Sequence, residues 1–183
     1  MINLQKIFEA LVFASWQHRL QRRKGNDNIP YINHPIRVAS LLTTCNDRQD
    51  ENLLIAAILH DVLEDTDTSA TQLEAMFGKE VTLLVEEVSD DMSLPETVRK
   101  QKQIEKAPLL SSQAKQIKIA DKICNIQDIV SLSIDWPAER KLEYLAWAKK
   151  VVDGCRGVNA ALEALFDETF RMAAEKLKKD EIH

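Results

Sequence analysis

Apolar and polar positions recur with a helical period along almost the whole chain. Residues 53–65, LLIAAILHDVLED, form an almost unbroken apolar run that closes on His60, Asp61, Glu64 and Asp65. The run is long enough for about three helical turns, and without strand punctuation it predicts a buried helix. Upstream, residues 4–22 place Ile7, Phe8, Leu11, Val12, Ser15 and Trp16 at helical spacing, predicting a first helix packed on a core. Pro35 suits the first position of a helix over 36–45, with His34 near its cap. Residues 66–69 can cap a helix that starts near Thr71 and that Gly78 breaks. Residues 79–91 set Val81, Leu84, Val85 and Val88 on one face, with Glu86 and Glu87 as a solvated face.

Residues 98–106 predict an exposed polar helix ended by Pro108. The longest helix, 112–133, carries Ile119, Ile123, Ile126 and Val130 as an apolar stripe. A further helix restarts at Trp136-Pro137 and runs to about Cys155, with Leu142, Leu145, Ala146, Ala148 and Val152 inward. Residues 159–179 form an amphipathic C-terminal packing helix. The expectation is an all-α fold. With no repeat and no linker, residues 1–183 read as a single domain.

Composition agrees: 45% hydrophobic residues supply a core, while only 4 Gly and 5 Pro leave few turn formers. A net charge of −5 argues against bulk attraction to nucleic acid or an acidic membrane, so an anionic ligand needs a local basic patch. No apolar stretch approaches the roughly 20 residues of a membrane span. The N-terminus lacks the basic region and cleavage site of a signal peptide. Cys45, Cys124 and Cys155 fit neither a disulfide framework nor zinc-finger spacing, which predicts three buried thiols in a reducing, cytoplasmic setting.

Charge at the end of the central run changes the picture. On a helix, His60 and Glu64 are four apart, Asp61 and Glu64 three, and Asp61 and Asp65 four, so they share neighbouring faces. Three carboxylates at the negative end of a helix dipole repel one another unless a cation sits among them. A second suspicious set is the stripe Lys118, Asp121, Asn125 and Asp128, which reads equally as a wet face or a buried polar site. His18 reads as a surface or half-buried histidine, and Arg19 and Arg22 as cations that meet a helix dipole. Arg23 and Lys24 carry more weight because they precede a segment containing His34, and Arg140 and Tyr144 share one side of a later helix. His34, the His60-Asp61 pair and Asp121 together offer a mixed nitrogen and oxygen set, suited to Mn²⁺, Fe²⁺ or Zn²⁺ better than to Ca²⁺.

The order H…HD…D resembles that of the HD-domain metal-dependent phosphohydrolases. The words QRRK, IPYINHP, AAILHDVLEDT, FGKEV with VSDD, and KIADKICNIQD narrow the resemblance to the alarmone (guanosine tetraphosphate) hydrolase domain, here of the stand-alone small type. It spans residues from about 4 to 152 and implies an HD-domain helical bundle. By that resemblance His34, His60, Asp61 and Asp121 match the metal ligands, with Mn²⁺ the usual ion. Glu64 and Asp65 match the pair that handles the attacking water. Arg23 matches an arginine that stacks on guanine, Lys24 a neighbouring phosphate- or base-contacting cation, and Asn125 a residue near the ribose and metal. Arg140 and Tyr144 resemble residues lining the nucleotide pocket. The implied partner is a small nucleotide, with the oligomeric state open. One departure stands out: where the stand-alone type carries a lysine after Leu-Pro, this chain has Glu96, which repels phosphate. The rival readings are an HD phosphohydrolase for another nucleotide and a silent nucleotide-binding module.

Overall fold

The central apolar run folds as α3 (Glu51–Leu59), in which every residue from Leu53 to Leu59 is buried. Asp50 caps it by accepting from the Leu53 amide at 3.2 Å. In the computed structural model, which describes residues 2–180, α3 lies against four other helices. These are α1 (Leu4–Gln17), α2 (Asn33–Cys45), α6 (Lys79–Val88) and α8 (Ser112–Ser131). The remaining elements are α4 (Val62–Asp65), α5 (Ala70–Phe77), α7 (Glu96–Lys106), a 3-10 turn at Ala107–Leu109, α9 (Ala138–Cys155) and α10 (Ala160–Asp180). Among the described residues there is no strand, only an isolated antiparallel bridge between Arg22 and Pro30. The fold is all-α around one core, and α10 packs most heavily on α8.

Two glycines are required, one by its backbone conformation and one by packing. Gly78, at φ +88°, ends α5 and starts α6 in a conformation that side chains disfavour. On α9, a Cβ at Gly154 would stand 2.8 Å from the Ala107 Cβ, so the glycine lets the 3-10 turn close on the helix.

Several boundaries and faces differ from the sequence reading. The central run does not continue as one helix to residue 65: it breaks at His60-Asp61 before the short α4. The first helix ends at Gln17 rather than 22, and beyond it Arg19 and Arg22 turn back to donate to the Trp16, Arg19 and Gln21 carbonyls. It also packs by another face: Ala10, Phe13 and Ala14 are buried, while Phe8, Val12 and Trp16 are exposed. α2 starts at Asn33, which puts His34 and Pro35 inside the first turn rather than at a cap. α6 stops at Val88, Ala146 on α9 faces outward, and Cys45 is only half-buried. Glu87 is not merely solvated, since it accepts from the Ser111 amide and hydroxyl at the start of α8.

The start of α10 makes one stability prediction. Glu163 Oε1 accepts from the amides of Gly157, Val158 and Asn159 at 2.9, 3.0 and 3.1 Å. Burial opposes its charge, but the three N–H groups outweigh it and hold the carboxyl below its ordinary 4.5. Glu163→Ala is expected to cost about 1–2 kcal/mol, read as a drop of several degrees in melting temperature. Because the folded pKa is depressed, that contribution is present above about 4.5 and fades as pH falls through the folded value. The parent and variant melting curves should therefore converge in acid.

Candidate metal centre

Three segments meet at one buried point. His34 comes from the first turn of α2, His60 and Asp61 from the break between α3 and α4, and Asp121 from the middle of α8. Ligand atoms of His34, His60 and Asp121 lie within 4.8 Å of one another, and all three residues are buried. Asp61 Oδ2 adjoins the same point, 3.0 Å from His60 Nε2 and 3.6 Å from His34 Nε2. The break at His60 matters here: Asp61, with ψ of −4°, turns its carboxylate back towards the imidazoles.

Tautomer chemistry tests whether a cation fits. His60 Nδ1 lies 2.8 Å from the Ala57 carbonyl and donates to it. That leaves Nε2, buried and without a hydrogen-bond partner, as the lone-pair nitrogen facing carboxylate oxygens. Two lone pairs at that range need a proton or a metal ion between them. Burial opposes charge on His60, yet Asp61 and Asp121 outweigh it and raise the imidazole to about 9, so metal binding would displace a proton. Burial pushes His34 down, towards the neutral form that a ligand requires. The donor set and its electrostatics fit a divalent cation.

Surrounding residues fix the carboxylates. Asp121 Oδ2 pairs with Lys122 Nζ at 2.9 Å, and Asn125 Nδ2 donates to Asp121 Oδ1 at 2.6 Å. Burial alone would raise Asp121, but Lys122 first and His34 next hold it well below the usual carboxylate range. Tyr31 donates its hydroxyl to Asp61 Oδ2 at 2.7 Å and stacks on His18, with ring centroids 4.8 Å apart. Glu64 points elsewhere and accepts from the Asp90 amide at 2.8 Å. Burial is the main cause that lifts Glu64 to about 7; Lys118 opposes and Asp61 adds to it. Burial also raises Asp65, again with Asp61 adding.

The polar stripe of α8 continues from this point into a cleft. Arg23 donates through Nη2 to Asn125 at 2.5 Å and through Nε to Asp128 at 2.8 Å, with Tyr31 5.4 Å from its guanidinium carbon. Arg23, Lys24, Tyr31, Asn125, Trp136 and Tyr144 line a cavity of about 320 Å³. Beyond it opens a hollow of about 870 Å³ that holds Lys24, Arg99, Lys100 and Arg140. Trp136 stands between two cations, Arg140 at 4.4 Å and Lys24 at 5.2 Å from its ring centroid.

The sequence profile described as HD domain matches residues 10–145. The chain belongs to the HD-domain family. It is similar to the guanosine-3′,5′-bis(diphosphate) 3′-pyrophosphohydrolase MESH1 of Drosophila melanogaster, with 48% identity covering 91% of this chain and 93% of that protein. The protein of the same description from Homo sapiens is 45% identical, covering 91% and 93% of the two chains. A solved structure, described as a metazoan ortholog of SpoT that hydrolyzes ppGpp, superposes with a TM-score of 0.88 at 48% identity, over 91% of this chain and 94% of that one.

Within this HD domain, the candidate residues fall into three groups. His34, His60, Asp61 and Asp121 converge; Arg23, Lys24, Asn125, Arg140 and Tyr144 line the adjoining cleft; Asp65 faces the smaller cavity, and Glu64 is turned to Asp90. Four groups were missed by the sequence reading. Lys122 is 3% exposed and lies 4.5 Å from the Trp147 ring centroid. Tyr31 bonds to Asp61, and Asp128, in sequence only one member of a polar stripe, is bonded to both Arg23 and Arg37. His18, 2% exposed, is a buried support for Tyr31 rather than a surface or half-buried histidine. The adjacency of Lys122 to Asp121 in an otherwise apolar stretch was the available signal for the first.

Proposed function

We propose that this chain hydrolyses guanosine 3′,5′-bis(diphosphate) and its pentaphosphate counterpart, releasing pyrophosphate from the 3′ position and leaving GDP or GTP. The observation that carries the reading is a buried two-histidine, two-carboxylate cluster joined through Tyr31 and Asn125 to a cleft lined by cations and aromatic rings. Relatives of nearly equal length, described by that activity, support it.

His34, His60, Asp61 and Asp121 would hold the metal, for which Mn²⁺ is proposed; a divalent ion supplies Lewis-acid activation of water and of the phosphoryl group. Glu64, lifted to about 7, is suited to take the proton of the attacking water, and Asp65 to order that water. The water oxygen bonds to the phosphorus as its bond to the 3′-oxygen breaks, and the ribose 3′-oxygen leaves with the proton that Glu64 took from the water. Asn125, bonded to Asp121 and to Arg23, stands where a ribose joins the two sites. The face of Arg23, with Tyr31, Trp136 and Tyr144, receives the guanine. Lys24 and Arg140 meet the phosphates, and Arg99 and Lys100 add cations to the same hollow, which also carries Asp90, Glu96, Glu139 and Glu143. Glu96 works against them: it is exposed and pairs with Lys100 at 2.8 Å, so it draws one cation from the phosphates.

Glu64→Gln tests the division of labour. Turnover of guanosine tetraphosphate is expected to fall about 10²–10⁴-fold, the usual contribution of a general base, with bound metal unchanged. Full activity in that variant would remove Glu64 from the mechanism. Joint loss of metal and turnover would make it a ligand.

A further inference from the structure

The face of α1 turned away from the core is apolar. Leu4, Phe8, Val12 and Trp16, each four residues from the next, are 63% to 70% exposed, and Leu20 in the following turn is 83% exposed. On α2, Ile36 adjoins them, lining a hollow of about 500 Å³ together with Val12 and Trp16. These six are half of the twelve exposed large apolar side chains among the described residues; the other six are spread over α5, α6, α7, α10, a loop and the 3-10 turn. One face therefore concentrates what the rest of the surface disperses.

Area and shape both specify an occupant. A monomer seldom exposes a contiguous apolar patch beyond a few hundred Å². At the exposures given, six side chains of this size offer roughly 800 Å², one partner's share of a standard stable interface. Residues spaced by four form a ridge inclined to the helix axis, and two such ridges interdigitate with the helices crossing at about −50°. A two-fold axis requires the same patch from both copies, and a ridge centred on Val12 meets that requirement. Such pairing sets Phe8 beside the partner's Trp16, with the hollow next to Val12 leaving room for the ring. Flanking charges are already satisfied within the chain. Glu9 accepts from Gln5 at 2.8 Å, and Arg19 lies 4.4 Å from the Trp16 ring centroid while donating to its carbonyl at 2.8 Å.

A lipid surface fits less well. Glu64, Asp65 and Asp67 share a hollow with Trp16 and Leu20, and the net charge of −5 opposes an acidic leaflet.

We propose that two copies of this chain associate about a two-fold axis through the ridge formed by Leu4, Phe8, Val12, Trp16 and Leu20. The proposal is independent of the reaction assigned above. Sedimentation equilibrium of the full chain over a wide concentration series tests it, with Val12→Asp and Phe8→Glu as ridge variants. Leu83→Asp, an exposed apolar position on α6, is the control. The parent and the control should reach twice the 20.8 kDa of one chain. Each ridge variant should weaken association by about a hundredfold or more, the cost of trapping an unpaired carboxylate in an apolar contact. Both positions are exposed in the single chain, so circular dichroism should match the parent, as should the melting temperature at concentrations low enough for the parent to be a single chain. A parent that stays at single-chain mass throughout, or ridge variants that dimerise like it, would overturn the proposal. So would flotation of single chains with acidic vesicles, which would assign the ridge to a membrane surface.

Discussion

His60→Ala protein is expected to purify without divalent metal and to show no turnover of guanosine tetraphosphate. The imidazole is aimed by its Nδ1 bond to the Ala57 carbonyl, so the residue contributes a fixed, buried nitrogen rather than a mobile one. Removing it leaves Asp61 and Asp121 facing a void. Loss of a group that merely supports a ligand costs roughly 10–100-fold in metal affinity, and loss of the ligand itself should exceed that. Elemental analysis of the purified protein, beside a kinetic assay with added Mn²⁺, reads both effects. Retained metal with normal activity would remove His60 from the centre.

Lys122→Met should lower the stability of the metal-free protein by about 3–5 kcal/mol, because it breaks a buried ion pair and leaves the other charge uncompensated. For a chain of this size the melting temperature should fall by roughly 10 °C. Lys122 overcomes its burial through Asp121, which raises its pKa, and its ammonium also lies over Trp147. Methionine fills a similar volume, so the loss is chiefly of charge. A divalent ion at the centre supplies positive charge to the same Asp121 carboxylate. Added metal should therefore raise the melting temperature of the variant by more than it raises that of the parent. An equal or smaller shift would mean that Lys122 acts by orienting Asp121 rather than by balancing it.

The helices were readable because their apolar periods are long and their stops carry Gly, Pro or capping residues. Which face packs was harder. On α1 the larger apolar residues, Phe8, Val12 and Trp16, outweigh Ala10 and Ala14 in any hydrophobic pattern, yet the small pair with Phe13 lets α1 approach α3. The break at His60-Asp61 was hidden because both residues sit in a segment of helical period, and only the buried imidazoles and Tyr31 that Asp61 meets explain why it turns inward. His34, His60, Asp61 and Asp121 could be proposed from their residue types in three segments. Lys122 was harder: its adjacency to Asp121 is a signal, but its burial depends on Trp147, a helix away in sequence. The polar stripe of α8 left two readings open, and burial of Asp121 and Asp128 decides for an internal site.

The most direct measurement is product analysis of the purified chain incubated with guanosine tetraphosphate, with and without Mn²⁺. The account predicts pyrophosphate and GDP in equal amounts, formed only when metal is present. Metal-replete protein that leaves guanosine tetraphosphate intact, or that releases single phosphates from it, would contradict it.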